Sequence, residues 1–270
     1  GAARALGLGV KETASALGLC MAGVPLSILN FGTDAHYLES SYQSLQGIIA
    51  AELAKVGMTS NPDLGTFLST YLGKERVAPE KIVEGLGEKW FFSEIWVKKY
   101  PCCFLNHRQI DAIIDLMRDN KLTYEDIKTL EVHMSPADEP CNRPEPTTEQ
   151  ELQFSFHHVL GCAMLDGDVN LKHFTKEAIN NPKLKEARSK VKTILHSDWS
   201  PELLMEPARL TVKTKDGKEF SKERKYPIGS TKEPLSTQQF RDLYIKFTRG
   251  ILSDEDISKT VDAVMRLEKL

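Results

Sequence analysis

The chain has 270 residues, of which 41% are hydrophobic and 27% charged, and its formal net charge is -3. This composition is ordinary for a soluble globular protein, and the length makes two domains the first expectation. The small net charge and the lack of a long basic tract predict no nucleic-acid partner and no membrane partner. No apolar run in the sequence approaches the roughly 20 residues that cross a bilayer.

Residues 1–58 are predicted to be helical, with an interruption at Pro25 and a turn at Gly32-Thr33-Asp34. Asp34 is predicted to cap a helix that continues through Leu53, because a short acidic side chain accepts hydrogen bonds from the first free amides. The less regular stretch that follows carries turn signals and ends at Lys98-Lys99-Tyr100-Pro101.

The middle of the chain mixes predicted helices with predicted strands. The predicted helices cover residues 107–118, 154–165 and 174–191. The predicted strands cover residues 130–134, 191–195, 209–214 and 219–226. The last two strands flank Lys215-Asp216-Gly217-Lys218, a sequence typical of a hairpin turn.

Residues 237–250 and 254–267 are again predicted to be helical, the second helix capped by Ser253. The order of helices, mixed segment and helices predicts an all-helical domain that is interrupted by a smaller α+β domain. The predicted boundaries are 1–99 for the helical domain and 100–232 for the α+β domain. Residues 233–270 are predicted to return to the helical domain.

Four segments in series resemble the MmgE/PrpD family, which includes 2-methylcitrate dehydratase and cis-aconitate decarboxylase. They are Phe31-Gly32-Thr33-Asp34-Ala35, Lys98-Lys99-Tyr100-Pro101-Cys102-Cys103 with His107, Cys141-Asn142-Arg143-Pro144, and Lys215-Asp216-Gly217. The chain resembles the C-terminal part of that family. The resemblance implies a mainly α fold with an α+β lid, in which the first half of the helical domain would lie upstream of Gly1.

The resemblance also implies a function. Members of the family act as cofactor-independent lyases or isomerases of small di- or tricarboxylic acids, by proton abstraction next to a carboxylate, in a cleft between the two domains. The expected partners are a small carboxylic acid and a second copy of the chain in a homodimer. Two alternatives stay open: a truncated or inactive family member, and a ligand-binding module without turnover.

Lys98 and His107 match family positions on either side of the predicted domain boundary. The resemblance implies that Lys98 clamps a substrate carboxylate and that His107 acts as the base. A helix N-terminus favours the neutral form of an imidazole, which suits His107 to that role. Cys103 lies where some members carry a histidine, and it is predicted to be a buried thiol at the substrate site. The alternative for Lys98 is a solvated surface lysine, and the alternative for His107 is an ordinary residue at the start of a helix.

The turn at Thr33 and Asp34 precedes a helix, and a helix N-terminus attracts anions. The family usually continues with a lysine and then a histidine, whereas this chain has His36 and Glu39. These two side chains are three residues apart and share a helix face, so an acid/base pair and a surface ion pair are both open. Because histidine holds a carboxylate well only when protonated, binding through His36 should weaken as the pH rises.

We expect His36, Lys98 and His107 to converge on one cleft between the domains. No metal site is predicted. Only His36 and Glu39 are close in sequence, His107 is the one further candidate, and a metal site usually needs three or more well-placed ligands. Arg143 is predicted either to bind a carboxylate through a bidentate pair of hydrogen bonds from its guanidinium or to stabilise the lid loop by a salt bridge.

The remaining histidines and the cysteines point to structure. His157 and His158 lie in an apolar helix, and the resemblance implies core packing for His158, which falls where relatives often have an aromatic residue. The others are predicted to be lone surface or strand residues: His133, His173 and His196. An odd number of irregularly spaced cysteines predicts five unpaired thiols and a cytoplasmic location.

Overall fold

The structure, a computed structural model, describes residues 1–21 and 30–269. The chain divides into two compact units, Gly1–Phe92 and Ser93–Leu270. Helices predominate in the described residues, and the second unit also contains a four-stranded mixed sheet. Within the described ranges, every helix is too short or too polar to cross a membrane.

The first unit is built from helices. They are α1 (Ala2–Ala5), α2 (Val10–Cys20), α3 (Asp34–Lys55) and α4 (Leu64–Leu72). Helices α2 and α3 pack through small side chains, since Ala16, Ala51 and Ala54 are buried together. Gly18 allows the segment after α3, which carries Asn61, to approach α2, because a Cβ at Gly18 would lie 2.5 Å from the backbone oxygen of Asn61. Small residues therefore determine how closely this unit packs.

Helices α1 to α3 confirm the helical character predicted for residues 1–58 where the structure describes them. Residues 22–29, with the predicted interruption at Pro25, lie outside the described residues. The prediction that Asp34 caps α3 is wrong, because Thr33 occupies the cap position with an extended backbone (φ -122°, ψ 164°). Asp34 is the first helical residue, where its carboxylate still faces the positive end of the helix dipole.

The second unit contains the sheet and the remaining helices. Its helices are α5 (His107–Asp119), α6 (Glu149–Leu152), α7 (Phe156–Asp166), α8 (Lys176–Asn180), α9 (Pro182–Lys190), α10 (Thr237–Thr248) and α11 (Asp254–Val264). Its strands are β1 (Ile127–Met134), β2 (Val191–Leu195), β3 (Ala208–Thr214) and β4 (Glu219–Arg224). The strand order is β2-β1-β3-β4, with β1 parallel to β2 and antiparallel to β3, and with β3 antiparallel to β4.

Helix α5 buries the apolar side chains Ile110, Ile113 and Leu116, and it packs against β3, β4 and α7. The described length of α7 is buried except for its last turn. Gly161 lets α9 approach α7, because a Cβ at this position would lie 3.2 Å from the Cβ of Ala187. This close packing places the next residue of α9, Arg188, inside the unit.

Of three local predictions for this unit, one is wrong and two are confirmed. The helix predicted over residues 174–191 is in fact two helices, because Asn181 ends α8 and its side chain accepts hydrogen bonds from the first amides of α9. Pro182 takes the first position of α9, where its missing amide costs nothing. The hairpin between β3 and β4 is confirmed, and so is the cap at Ser253, which accepts a hydrogen bond from the Asp256 amide.

The last two helices belong to the same compact unit as the sheet. Lys246 of α10 donates a hydrogen bond to Asp168 over 2.7 Å, just after the end of α7. The predicted boundaries at residues 99 and 232, and the predicted return of residues 233–270 to the helical domain, stay predictions.

Candidate functional site

The segment before α5 carries two adjacent lysines with different surroundings. The Val97 amide donates to the Gly229 carbonyl over 2.8 Å, which fixes the backbone just before them. Lys99 donates to the Asp111 carboxylate over 3.0 Å. Lys98 is exposed. Of the two lysines, Lys99 is therefore part of the scaffold, whereas Lys98 is an exposed residue whose charge acts on the buried groups behind it.

Asp111, one turn into α5, organises this segment from a buried position. Its carboxylate accepts hydrogen bonds from the Tyr100 hydroxyl over 2.8 Å, from Lys99, and from the Ile228 amide over 2.8 Å. Burial, followed by the negative charge of Asp111, raises the pKa of Tyr100, so the hydroxyl stays a donor. The Lys-Tyr-Pro segment is thus held against α5 by one satisfied carboxylate.

The His107 side chain is fully buried at the start of α5. Its ring centroid lies 5.3 Å from that of Tyr100 and 4.7 Å from that of Phe104. The pKa of His107 is lowered to about 3, first by burial and then by the positive charge of Lys98, while the carbonyl groups of Cys102 and Tyr100 oppose the shift. Neither ring nitrogen has a partner with hydrogen-bond geometry in the part of the chain that the structure describes.

The ring is therefore neutral at physiological pH. The sequence predicted a neutral ring from its place at a helix N-terminus, but burial is the larger cause in the structure. A neutral imidazole keeps one nitrogen as an acceptor, and this is the chemical requirement for a base.

Cys103 lies near the same lysine. The Cys141 thiol lowers the pKa of Cys103 through a hydrogen bond, burial opposes this, and the charge of Lys98 lowers it again. The same bond, together with burial, raises the pKa of Cys141. All five cysteines are free thiols. Lys98, Cys103 and His107, called here the Lys98 cluster, thus come together in one unit.

A buried ion pair that the sequence analysis missed ties the start of α5 to the segment that carries Cys141. Arg108 and Asp138 lie 3.9 Å apart, and both are buried. Arg108 also donates to the Glu206 carbonyl. Asp138 in turn accepts a hydrogen bond from the Ser135 amide over 3.0 Å. The only available signal was the position of Arg108 next to His107.

Arg143 braces its own loop. Its Nε donates to the Pro140 carbonyl over 3.1 Å, and its Nη1 donates to the Glu151 carboxylate over 3.3 Å. This is the salt-bridge alternative that the sequence left open. A direct contact of Arg143 with a substrate carboxylate stays a prediction.

The remaining predicted site residues belong to the first unit. Thr33 and Asp34 are exposed at the start of α3. His36 Nδ1 lies 4.0 Å from the Glu39 carboxylate, which also accepts a hydrogen bond from Asn30. The two side chains share a helix face, as their spacing predicted. Whether His36 meets Lys98 and His107 concerns both units and stays a prediction.

His158 confirms the prediction of core packing. Its Nε2 donates to the His173 carbonyl over 2.6 Å, and its Nδ1 accepts from Arg188 over 3.2 Å. The prediction of lone side chains at three other histidines is wrong. His173 is buried with its Nε2 3.0 Å from Asp166, and His133 lies 2.7 Å from His196. Among the residues described, no group of three or more acidic, histidine or cysteine side chains gathers around a possible metal position.

Comparison with known proteins gives a consistent set of relatives. A family model described as the MmgE/PrpD C-terminal domain matches residues 100–267. The cis-aconitate decarboxylase of Mus musculus is 24% identical over 280 residues, which cover 100% of this chain and 57% of that protein. The Homo sapiens enzyme of the same name is 24% identical with the same coverage. That of Aspergillus terreus is 22% identical, covering 98% of this chain and 58% of its own length. The chain therefore spans a little over half the length of these relatives.

Proposed function

Because the chain belongs to the MmgE/PrpD family, we propose that it forms part of a lyase or isomerase of a small di- or tricarboxylic acid that needs no cofactor. The reaction would transfer a proton at a carbon next to a carboxylate; a lyase would in addition release water or carbon dioxide, and an isomerase would return a proton to the acid. Relatives that carry the name cis-aconitate decarboxylase support this reaction class. The observation that carries the proposal is the exposed Lys98 cation beside the neutral, buried His107.

Lys98 would hold a carboxylate of the substrate. The residue is exposed, whereas the neighbouring Lys99 is already paired with Asp111. A charge-assisted bond from an ammonium to a carboxylate is roughly twice as strong as a neutral hydrogen bond, and it fixes one end of the acid. The other proposed substrate contacts are Thr33, Asp34, His36, Glu39, Cys103 and Arg143.

His107 would act as the base once substrate is bound. A pKa of about 3 is far below the operating pH of a good general base. A substrate carboxylate at Lys98 would offset the lysine charge and remove one of the three causes that depress this pKa, the others being burial and the charge of Lys99. Burial would remain, and Tyr100 and Phe104 cover the ring, so the proposal requires these side chains to move when substrate enters.

A ligand-binding module without turnover is the second candidate. The observation that favours it is the complete burial of His107, which keeps the ring from direct contact with a ligand at Lys98. In this case Lys98 would still bind a carboxylate, but no proton would move.

The test is to incubate the protein in D₂O with cis-aconitate, 2-methylcitrate or citrate and follow the acids by proton NMR. We expect one acid to be consumed. Decarboxylation would place one deuterium in the product at a carbon beside a carboxylate, whereas dehydration would release the abstracted hydrogen to the solvent and give an unlabelled alkene. Binding is measured in parallel by calorimetry. Saturable binding without consumption would establish the binding module, and the absence of both binding and consumption would refute the proposal.

A further inference from the structure

A second feature of this unit lies apart from the Lys98 cluster. An open cavity of about 840 Å³ is bounded by the loop at residues 144–147, by α7, α8 and α9, and by the start of β2. No member of the Lys98 cluster lines it. Its volume falls in the range of roughly 300–1,000 Å³ that is usual for small-molecule sites.

The wall of this cavity carries an excess of positive charge. Lys185, Arg188 and Lys192 line it together with one carboxylate, that of Glu145, which leaves a net charge of two positive units. Lys185 donates to the neutral Asn180 side chain over 3.0 Å. Among the residues described, neither Lys185 nor Lys192 forms an ion pair. Two exposed lysines thus line one cavity, and neither has an acidic partner in the part of the chain that the structure describes.

Arg188 has a different role in the same wall. Its guanidinium is buried and donates to the Ile179 carbonyl over 2.6 Å, to the Ala178 carbonyl over 3.4 Å, and to His158. These bonds hold α8 and α9 at a fixed distance. Arg188 is therefore a positioning residue that shapes the cavity and contributes its charge.

His157 supplies an independent observation that points to a ligand. The residue lines the cavity, is only 5% exposed, and has a buried Nδ1 without a hydrogen-bond partner in the described part of the chain. Buried polar atoms are normally hydrogen-bonded, so an atom left without a partner beside a cavity suggests a missing partner inside it. Both ring nitrogens of the next residue, His158, are hydrogen-bonded.

We propose that this cavity binds a compact polyanion through carboxylate or phosphate oxygens. Lys185 and Lys192 neutralise its charge, and His157 donates a hydrogen bond from Nδ1 to one of its oxygens. The proposal does not rest on the proposed lyase activity, because none of its residues belongs to the Lys98 cluster.

Two probes and two matched variants test this binding site. The full chain is titrated by calorimetry with citrate and, separately, with inorganic pyrophosphate. The variant Lys185→Gln/Lys192→Gln removes both cavity ammonium groups. The control Lys128→Gln/Lys232→Gln removes two exposed lysines outside the cavity, so both variants have the same net charge.

We expect saturable binding that is weakened about tenfold or more in the cavity variant and is unchanged in the control. The imidazole NMR signal of His157 should move during the titration, and that of His158 should move less. Binding of pyrophosphate alone would identify a phosphate ligand, and binding of citrate alone a carboxylate ligand.

Equal affinity in the two double variants would overturn the proposal, as would the absence of binding up to about 10 mM of either ion. Citrate binding that is lost in Lys98→Gln but kept in the cavity variant would also overturn it, since the ligand would then occupy the Lys98 cluster. That last result would leave the proposed function intact.

Discussion

Two buried histidines in the same unit have similar burial but different hydrogen bonds. His107 and His158 are both fully buried, and burial lowers their pKa values to about 3 and about 4. Both nitrogens of His158 are hydrogen-bonded, to Arg188 and to the His173 carbonyl. In the described structure neither nitrogen of His107 has such a partner, and the charge of Lys98 bears on its ring. Burial alone therefore does not distinguish the two rings, whereas their hydrogen bonds do.

The largest effect that we expect concerns His158, the histidine whose two ring nitrogens are hydrogen-bonded. Arg188→Met should lower the free energy of unfolding by about 3 kcal/mol, because it leaves His158 Nδ1 and two carbonyl groups buried without a donor. Urea unfolding measures this. The control Lys185→Met, on the exposed face of the same helix, should change stability by less than about 0.5 kcal/mol. Equal losses in the two variants would show that the Arg188 network is not a structural core.

The next effect separates the two adjacent lysines. Lys98→Gln should reduce kcat/KM for the acid that the protein consumes by about 100-fold, or roughly 2.7 kcal/mol, with little change in stability. Lys99→Gln should show the reverse, because it removes a partner of the buried Asp111. It should lower the free energy of unfolding by about 1 kcal/mol and leave kcat/KM almost unchanged. Steady-state kinetics and urea unfolding of both variants are compared. Similar losses of activity in the two would mean that Lys98 has no special contact with substrate.

A smaller effect follows from the depressed pKa values of the buried histidines. The unfolded chain binds protons at an ordinary histidine pKa, whereas the folded rings of His107, His157 and His158 resist protonation. The free energy of unfolding should therefore be level above a pH of about 6.5 and should fall as the pH drops towards 4. The slope is at most about 1.4 kcal/mol per pH unit for each histidine.

Unfolding measured between pH 7.5 and pH 5 in wild type and in His107→Phe tests this. The free energy of unfolding of the variant should fall less steeply as the pH drops, by the contribution of one histidine. A stability that does not change over this range would contradict the buried, neutral state of the three rings.

Local signals explain what the sequence predicted of the fold. The amphipathic period of α5 and the Lys215–Lys218 turn each depend on neighbouring residues, and both are confirmed. The break at Asn181 was also a local signal, an Asn-Pro pair, and a longer helical pattern concealed it. The His133–His196 contact was not predictable in this way, because its two residues are 63 positions apart and meet only when β1 and β2 pair.

The candidate site was predicted in part. The resemblance drew attention to Lys98, Cys103 and His107. It did not show that Lys99 forms an ion pair with Asp111 whereas Lys98 is exposed. Nor did it show the packing of Tyr100 and Phe104 that buries the His107 ring. The cavity beside β2 went unpredicted, since it joins a loop, three helices and a strand that are distant in sequence.

The state of the His107 ring during binding tests the central claim most directly. Imidazole ¹⁵N NMR of the protein at neutral pH should show a neutral His107 whose signal moves when cis-aconitate, or whichever acid binds, is added. The signal of His158 should stay in place, and in Lys98→Gln the movement of the His107 signal should be lost. A His107 signal that does not respond to a bound acid, or that responds equally without Lys98, would contradict the assignment of a carboxylate site at Lys98.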